Sequence, residues 1–339
     1  MPSIKVIGNG LPNIPWEAKP ADSHEPIWRH TQNPIIDWNP TKTSGRVFNS
    51  GVLPYKDGFV GIFRADRSCI KPQLFFGKSK DAVNWEIEED YIHWVDENGD
   101  SYEPSYAYDP RLLEIDGVYY IIWCTDFSGA ALGLGKTTDF KTFTRLENPF
   151  FPFNRNGVMF PRKIGGNYVL LSRPSDNGHT PFGDIFVSES PDLVYWGKHR
   201  KVMSSGGTGW WQETKIGAGP IPIETDKGWL LFYHGVINTC NGLVYSFGAA
   251  LLDINSPSKV LLRGKNPLIS PQMSYETTGF VPNVCFPCAA LCDADTGRIA
   301  VYYGGADSTV AIAYTTADEI YSWLLETSEL VPGDELEWK

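Results

Sequence analysis

DPRLLEIDGVYYIIWCTD (109–126) contains two short apolar strands on either side of the turn dipeptide Asp116-Gly117. Glycine readily adopts the positive φ that a tight hairpin turn requires, so this stretch predicts an antiparallel hairpin. The same order of strand, turn and strand occurs in four further stretches: NSGVLPYKDGFVGIFRAD (49–66), MFPRKIGGNYVLLSRPSD (159–176), KIGAGPIPIETDKGWLLFYHGV (215–236) and NVCFPCAALCDADTGRIAVYYGGAD (283–307). The copies recur at intervals of roughly 50 to 70 residues, which is typical of propeller blades.

A second motif, S-x-D-x-x-x-W, follows several of these hairpins. It is written SKDAVNW at 79–85 and SPDLVYW at 190–196, and it varies to TTDFKTF (137–143), TADEIYSW (316–323) and, in the fourth copy, LDINSPSKV (252–260). The composition, with 33 Gly, 25 Pro, 12 Trp, 16 Tyr and 18 Phe, suits short strands joined by tight turns. Together these features predict an all-β fold, a five-bladed β-propeller with four strands in each blade.

The two ends of the chain lie outside the repeats. Residues 1–45 are rich in Pro and carry no copy, which predicts an irregular N-terminal extension that wraps the outside of the propeller or contacts a neighbouring subunit. Residues 46–339 are then the propeller. Beyond Thr316, apolar residues at Ile320, Leu324 and Leu325 predict either a helix or the last part of blade five.

Charge and composition exclude several classes of function. With 29 basic and 40 acidic residues, the net charge of −11 argues against nucleic acid as a partner. No apolar stretch approaches the roughly 20 residues that cross a membrane, and MPSIKVIGNGLPNIPW (1–16) lacks the apolar core of a signal peptide, so we expect a cytoplasmic protein. Apolar residues separate Cys285, Cys288 and Cys292 and no His lies nearby, so we expect neither a metal nor another cofactor.

Polar residues cluster at one end of the predicted hairpins. In an antiparallel hairpin the first strand begins beside the end of the second, so five blades bring ten such chain positions to one mouth. At or next to these strand ends lie twelve polar residues: Asn49, Ser50, Arg64, Asp66, Asp109, Asp126, Arg173, Asp176, Lys215, His234, Asn283 and Asp307. Each alone is explained by the solvation of strand ends. Their mixture of cations and carboxylates in an acidic protein predicts a site for an anion of the size of phosphate, which Arg binds with paired donors.

Six stretches resemble the β-mannoside phosphorylases of glycoside hydrolase family 130. They are FNRNGVMFPRKI (153–164), LSRPSDNGHTPFGDIF (171–186), KIGAGP (215–220), YHGV (233–236), NGLVYSFG (241–248) and VPNVCFPCAAL (281–291). The resemblance covers nearly the whole chain and is greatest to the branch with β-1,4-mannosyl-N-acetylglucosamine and β-1,4-mannooligosaccharide phosphorylases. It implies a five-bladed propeller, in agreement with the repeats.

The resemblance also implies a role for individual residues. Asp109 would be the sole catalytic acid, passing its proton through the mannose 3-hydroxyl. The implied phosphate ligands are Arg155, Asn156, Arg173, Lys215, His234 and Tyr245. The implied mannosyl ligands are Asn49, Ser50, Arg64, Asp66 and Asp307. Two further candidates for substrate binding have alternatives: His179 lines the acceptor side or braces its loop, and Tyr108 contacts sugar or packs in the core.

The implied reaction is phosphorolysis of β-1,4-linked mannosides with inversion, giving α-D-mannose 1-phosphate and the shortened acceptor. An inverting hydrolase needs a second carboxylate as base, whereas phosphate arrives as an anion and needs none. Three alternatives are open: a hydrolytic β-mannosidase, a furanosidase of the arabinanase type with three carboxylates, and a non-catalytic sugar-binding propeller. The acceptor is mannose, glucose or N-acetylglucosamine. The resemblance implies a homo-oligomer, with a hexamer as one arrangement and residues 1–45 as a candidate contact.

Overall fold

The fold consists of five β-sheets, the blades of a propeller. The computed structural model describes residues 3–67, 71–175, 183–206, 210–330 and 334, and the statements below refer to these residues. An N-terminal strand, β1 (Trp28–Arg29), precedes blade one, which contains β2 (Ser44–Tyr55), β3 (Gly58–Arg67), β4 (Pro72–Ser79) and β5 (Glu86–Tyr91). Blade two contains β6 (Trp94–Val95), β7 (Ser101–Tyr102), β8 (Tyr108–Ile115), β9 (Val118–Asp126), β10 (Ala130–Thr137) and β11 (Phe143–Leu146).

Blades three to five follow the same plan. Blade three contains β12 (Asn154–Met159), β13 (Tyr168–Pro174), β14 (Ile185–Ser190) and β15 (Gly197–Met203). After a 3₁₀ turn (Trp210–Gln212), blade four contains β16 (Lys215–Ala218), β17 (Ile223–Thr225), β18 (Gly228–Thr239), β19 (Gly242–Leu252) and β20 (Val260–Arg263). A short helix, α1 (Ser274–Thr277), leads to β21 (Cys285–Cys292), β22 (Arg298–Gly305) and β23 (Thr309–Thr316) of blade five. The prediction of a five-bladed, all-β propeller is confirmed.

The N-terminal strand completes blade five. β1 pairs antiparallel with β23, Trp28 opposite Tyr314 and Arg29 opposite Ala313. The chain after β23 forms helix α2 (Ala317–Thr327), which begins where the Thr316 hydroxyl accepts a hydrogen bond from the Glu319 amide. Of the two predictions for the tail, the helix is therefore correct, and the fourth strand comes from residues that the sequence assigned to an irregular extension.

The hydrophobic core lies between neighbouring blades. Separate clusters of buried side chains join blades one and two, two and three, three and four, four and five, and five and one. The segment before β1 contributes Ile4 and Val6 to the cluster of blades four and five, and Leu11 and Ile14 to that of blades five and one. Since each cluster needs two blades, burial itself joins the sheets into a ring.

The S-x-D-x-x-x-W motif forms a turn before the outermost strand. In the copy at 79–85, the Asp81 carboxylate accepts hydrogen bonds from the amides of Val83 and Asn84, while the Trp85 indole donates to the Ala82 carbonyl. The copy at 190–196 has the same pattern of bonds. The motif therefore stabilises the blades and lies outside the site described below. No helix in the described part of the chain is both long and apolar enough to span a membrane.

Candidate active site

A cavity of about 220 Å³ lies where the five blades meet at one end of the propeller. Its lining residues are Asn49, Arg64, Tyr108, Asp109, Cys124, Arg155, Asn156, Arg173, Lys215, His234, Leu243, Tyr245, Val281, Val284, Phe286 and Asp307. Two larger grooves, of about 1180 and 1160 Å³, are lined by residues of blades two and three and by residues of blades one and two with the N-terminal segment. The smaller cavity is the one that collects buried charges from several blades.

In three blades the same backbone conformation directs an amide or carboxylate side chain to the cavity. Asn49, Asp109 and Asn156 have φ values of 50°, 52° and 53°, and strand pairing shifts register at each of them. These are β-bulges, which bend a strand and re-aim a side chain. Asn and Asp enter the left-handed region more readily than other residues with a Cβ. A short polar residue at the bulge of an inner strand thus permits both the bend and the site.

The Asp109 carboxylate is held by two donors from blade one. Its Oδ1 accepts hydrogen bonds from Asn49 Nδ2 (2.7 Å) and from Arg64 Nη1 (3.0 Å). Arg64 Nε lies 3.6 Å from Asp66 Oδ1, and Asp66 Oδ2 accepts a bond of 2.6 Å from Arg46. A chain of alternating charges therefore extends from Arg46 to Asp109 and fixes the orientation of the carboxylate.

Asp307 lies in the same cavity on the side of Asp109. Burial raises the pKa of Asp307 to about 6, the charges of Asp109 and Asp66 act in the same direction, and Arg64 opposes them. Its backbone is also left-handed, with φ of 49°. Asp307 is therefore a carboxyl group that changes charge close to neutral pH.

The cationic part of the cavity comes from blades three and four. Arg173 Nη1 donates to His234 Nε2 (3.0 Å) and to the Ile216 carbonyl (3.4 Å). Burial lowers the pKa of His234 well below its usual value, and the charges of Arg173, Arg111 and Lys215 add to this effect. Because Arg173 can only donate, neutral His234 accepts at Nε2 and carries its proton at Nδ1.

Several buried polar atoms in the cationic part of the cavity have no hydrogen-bond partner among the described residues. Burial, together with Arg173 and Arg155, lowers the pKa of Lys215 to about 8. Among the described residues, four buried atoms of the region have no hydrogen-bond partner: Arg155 Nε, Asn156 Oδ1, Arg173 Nε and His234 Nδ1. Three of these atoms are donors and Asn156 Oδ1 is an acceptor. Since buried polar atoms are nearly always paired, such a cluster indicates a polar ligand that offers mainly acceptors.

The sequence profile described as beta-1,4-mannooligosaccharide phosphorylase, which represents glycoside hydrolase family 130, matches residues 10–326. The chain belongs to glycoside hydrolase family 130. It is 51% identical over 332 residues to the β-1,4-mannooligosaccharide phosphorylase of Ruminococcus albus, covering 96% of this chain and 98% of that protein. It is 30% identical to the β-1,2-mannobiose phosphorylase of Listeria innocua, covering 84% and 94% of the two chains.

A solved structure from family 130 has the same fold. The β-1,2-mannobiose phosphorylase of Listeria innocua, in complex with β-1,2-mannobiose, superposes with a TM-score of 0.77 at 26% identity, covering 88% of this chain and 99% of that one. The predicted membership of family 130 is thus confirmed.

The structure brings together most of the residues to which the family 130 resemblance gives a role. Those at the cavity are Asn49, Arg64, Tyr108, Asp109, Arg155, Asn156, Arg173, Lys215, His234, Tyr245 and Asp307. Ser50 and Asp66 are buried without lining it, and Asp66 acts on the cavity through Arg64. His179 and Asp176 lie outside the described residues. The individual roles stay predictions.

Other residues differ from the sequence analysis. Asp126 is exposed and accepts a hydrogen bond from the Gly129 amide, so it is a turn residue, as the solvation of strand ends predicts. Cys124 and Phe286 line the cavity and were missed. The signal for Cys124 is its pairing with the candidate residue Tyr108 across β8 and β9, because paired residues face the same side of a sheet. Phe286, 4.5 Å from His234 between ring centroids, gives no such signal.

Proposed function

We propose that this protein is an inverting phosphorylase of β-1,4-mannosides that releases α-D-mannose 1-phosphate and the shortened acceptor. The proposal rests on one observation. The Asp109 carboxyl group and the cations Arg155, Arg173 and Lys215 line the same cavity. The 51% identity to a β-1,4-mannooligosaccharide phosphorylase supports the linkage and favours a mannose chain as the acceptor. The homo-oligomeric state and the cytoplasmic location stay predictions.

The charges of the cavity suit phosphate better than water as the attacking group. An inverting hydrolase places its base on the face of the sugar opposite the acid, with the two carboxyl groups about 6.5–9.5 Å apart. Here the second carboxyl group of the cavity, Asp307, interacts electrostatically with Asp109 and Arg64 and belongs to the predicted mannosyl ligands. The remaining part holds Arg155, Arg173, Lys215 and neutral His234, which are donors to an oxyanion and supply no base.

Each group then has one task in the proposed reaction. Asp109, held by Asn49 and Arg64, supplies the proton that the leaving oxygen receives, by way of the mannose 3-hydroxyl. The arginines and Lys215 orient phosphate for attack at the anomeric carbon and offset its repulsion by the carboxylates. The bond to the leaving oxygen breaks as the bond to phosphate forms, so the configuration inverts.

The test is an incubation with β-1,4-mannobiose, with and without inorganic phosphate, followed by ³¹P and ¹H NMR. We expect α-D-mannose 1-phosphate only when phosphate is present. Turnover to mannose that does not depend on phosphate would favour the hydrolytic β-mannosidase, and no turnover of any β-mannoside would favour a sugar-binding propeller. Parallel incubations with 4-O-β-mannosylglucose and mannosyl-N-acetylglucosamine identify the acceptor by their relative kcat/KM.

A matched pair of variants links the dependence on phosphate to the cavity. Arg173→Lys replaces the planar guanidinium group at the site by an ammonium group. Arg162→Lys makes the same change at a partly exposed arginine that pairs with Glu224. We expect the KM for phosphate to rise at least about tenfold in Arg173→Lys, corresponding to roughly 1.4 kcal/mol. It should stay unchanged in Arg162→Lys.

A further inference from the structure

Arg111 is a buried arginine directly behind the candidate acid. It follows Asp109 and Pro110 in the stretch YDPR, is 1% exposed and does not line the cavity. Among the described residues, its guanidinium donates only to backbone carbonyls: Nε to Gly219 (2.5 Å), Nη2 to Ala218 (3.5 Å), and Nη1 to Asp109 and Pro110 (both 3.2 Å). All three nitrogens of one side chain are therefore in use.

These bonds connect two blades that are not neighbours in the ring. Asp109 and Pro110 belong to β8 of blade two, whereas Ala218 ends β16 of blade four and Gly219 follows it. β16 begins with Lys215, and its Gly217 pairs with His234 of β18. One guanidinium thus joins the backbone of the acid to the strand that carries Lys215 and pairs with the strand of His234.

The hydrogen bond from Arg111 to the Asp109 carbonyl also helps to hold the bulge at Asp109, whose backbone is left-handed. Asp109 has φ of 52°, and pairing between β8 and β9 is interrupted from Tyr108 to Arg111. A bulge leaves ladder groups without their strand partner. Arg111 supplies donors to two of the carbonyls in the interrupted segment, which holds the bulge in the form that directs Asp109 to the cavity.

The Arg111 guanidinium has no carboxylate in direct contact among the described residues. No Asp or Glu of the described chain lies within ion-pair distance of it, in contrast to buried Arg263, which pairs with Asp334. Burying a cation without a counter-ion destabilises a fold, and an apolar side chain would fill the same space at a smaller free-energy cost. The guanidinium is also among the charges that keep His234 neutral, in the form that accepts from Arg173.

We propose that Arg111 is a positioning residue that sets the Asp109 carboxyl group against the phosphate ligands of blade four. This inference rests on the proposed phosphorolysis and extends it. Arg111 contacts neither substrate, yet it would set the position of the acid relative to the phosphate that attacks. The expected loss is therefore in kcat, since a displacement of about 1 Å from the reactive geometry lowers rates on the order of 100-fold.

The test compares Arg111→Lys with Arg263→Lys. Both changes replace a fully buried guanidinium group by an ammonium group. Arg263, however, donates hydrogen bonds to Asp334, Gln212 and Ser204 at the outer side of blade four. With β-1,4-mannobiose and phosphate, we expect Arg111→Lys to lose kcat about 100-fold while both KM values change less than about threefold. Arg263→Lys should lower the Tm and keep the kcat of the unchanged protein. Equal kcat losses in the two variants, or an unchanged kcat in Arg111→Lys, would overturn the proposal.

A second readout does not depend on activity. Crystal structures of Arg111→Lys and of Arg111→Gln, which keeps an amide NH2 group but not the charge, should show Asp109 outside the left-handed region and its bond to Arg64 lost. A bulge and a bond identical to those of the unchanged protein would contradict the inference. If the unchanged protein forms no mannose 1-phosphate, the proposed function fails, and this structural comparison still decides whether Arg111 holds the bulge.

Discussion

Asp109 is the residue on which the proposed chemistry depends most. Its carboxylate accepts from Asn49 and Arg64, and its backbone has a positive φ that Asn adopts as readily as Asp. The substitution Asp109→Asn therefore removes the acid without disturbing the bulge. Few positions in the site allow so clean a separation of chemistry from structure.

We expect Asp109→Asn to lower kcat for phosphorolysis about 10²–10⁴-fold, the usual contribution of a general acid. The Tm should stay within about 2 °C of the unchanged protein, because the amide fits the same contacts. The measurement is release of mannose 1-phosphate, together with a thermal melt followed by circular dichroism. Undiminished kcat in the folded variant would rule out Asp109 as the acid.

The pH profile should reflect two buried groups. The pKa of Asp307 is raised to about 6, so its carboxylate is lost as the pH falls through that value. The pKa of Lys215 is lowered to about 8, so its charge is lost as the pH rises through that value. The kcat/KM for mannobiose should therefore fall below about pH 6, because Asp307 is a predicted mannosyl ligand, and the kcat/KM for phosphate should fall above about pH 8, where Lys215 loses its charge.

Lys215→Arg is the control for the alkaline limb, because arginine stays charged and the fall in kcat/KM should move to higher pH.

Stability gives an independent check on Asp307. Its raised pKa means that the ionised form destabilises the fold above about pH 6, and that this cost disappears as the pH falls toward 3.8. Asp307→Asn should consequently raise the Tm at pH 7.5 by about 2 °C. A lower Tm would show that the ionised carboxylate is stabilising.

At the scale of the strand, glycine makes room for the candidate phosphate ligands. A Cβ at Gly217 of β16 would press on the His234 ring and on the Arg173 guanidinium. Both groups are buried, so neither has space to move away. The strand therefore carries a glycine where two ligands approach its backbone.

Gly217→Ala should displace His234 and Arg173 and raise the KM for phosphate roughly tenfold, with a smaller effect on the KM for mannobiose. Gly197→Ala is the matched control, since a Cβ at this strand residue of blade three meets no described atom within 4 Å. Steady-state kinetics with phosphate as the varied substrate measure the difference. Equal KM values in the two variants would contradict the crowding argument.

At the scale of the whole molecule, the ring is closed by the first strand of the chain. Arg29 of β1 forms a bidentate pair with Glu276, at 2.7 and 3.0 Å, and Glu276 is fully buried. The same carboxylate accepts from the Tyr303 hydroxyl and from the Gln272 amide. The two ends of the chain are thus joined by a strand pair and by a buried ion pair.

Arg29→Ala should destabilise the protein by about 3–5 kcal/mol, because it leaves the buried Glu276 carboxylate without its cation. Lys19→Ala, which breaks a partly exposed pair with Glu319, should cost less than about 1 kcal/mol. Urea unfolding followed by tryptophan fluorescence gives both values. Similar losses in the two variants would show that the Arg29 pair is not needed to close the ring.

The five hairpins, the all-β class and the cluster of polar strand ends can be predicted from the sequence. Each of these follows from neighbours in the chain: a turn dipeptide such as Asp116-Gly117, an apolar strand on each side, and polar residues at the strand ends. Hairpin geometry then brings strand ends together without knowledge of the rest of the fold. The motifs of the glycosidase family added roles such as that of Asp109, which turns alone do not reveal.

Which residues complete the ring, which ones support the acid and how burial shifts the pKa values depend on contacts between distant parts of the chain. Trp28 pairs with Tyr314, and Arg111 bonds Gly219, 108 residues further along the chain. Neither contact has a local pattern, because it depends on the angle at which five sheets meet. The raised pKa of Asp307 and the lowered pKa of His234 likewise arise from burial and from charges on other blades, which exist only after the sheets have packed.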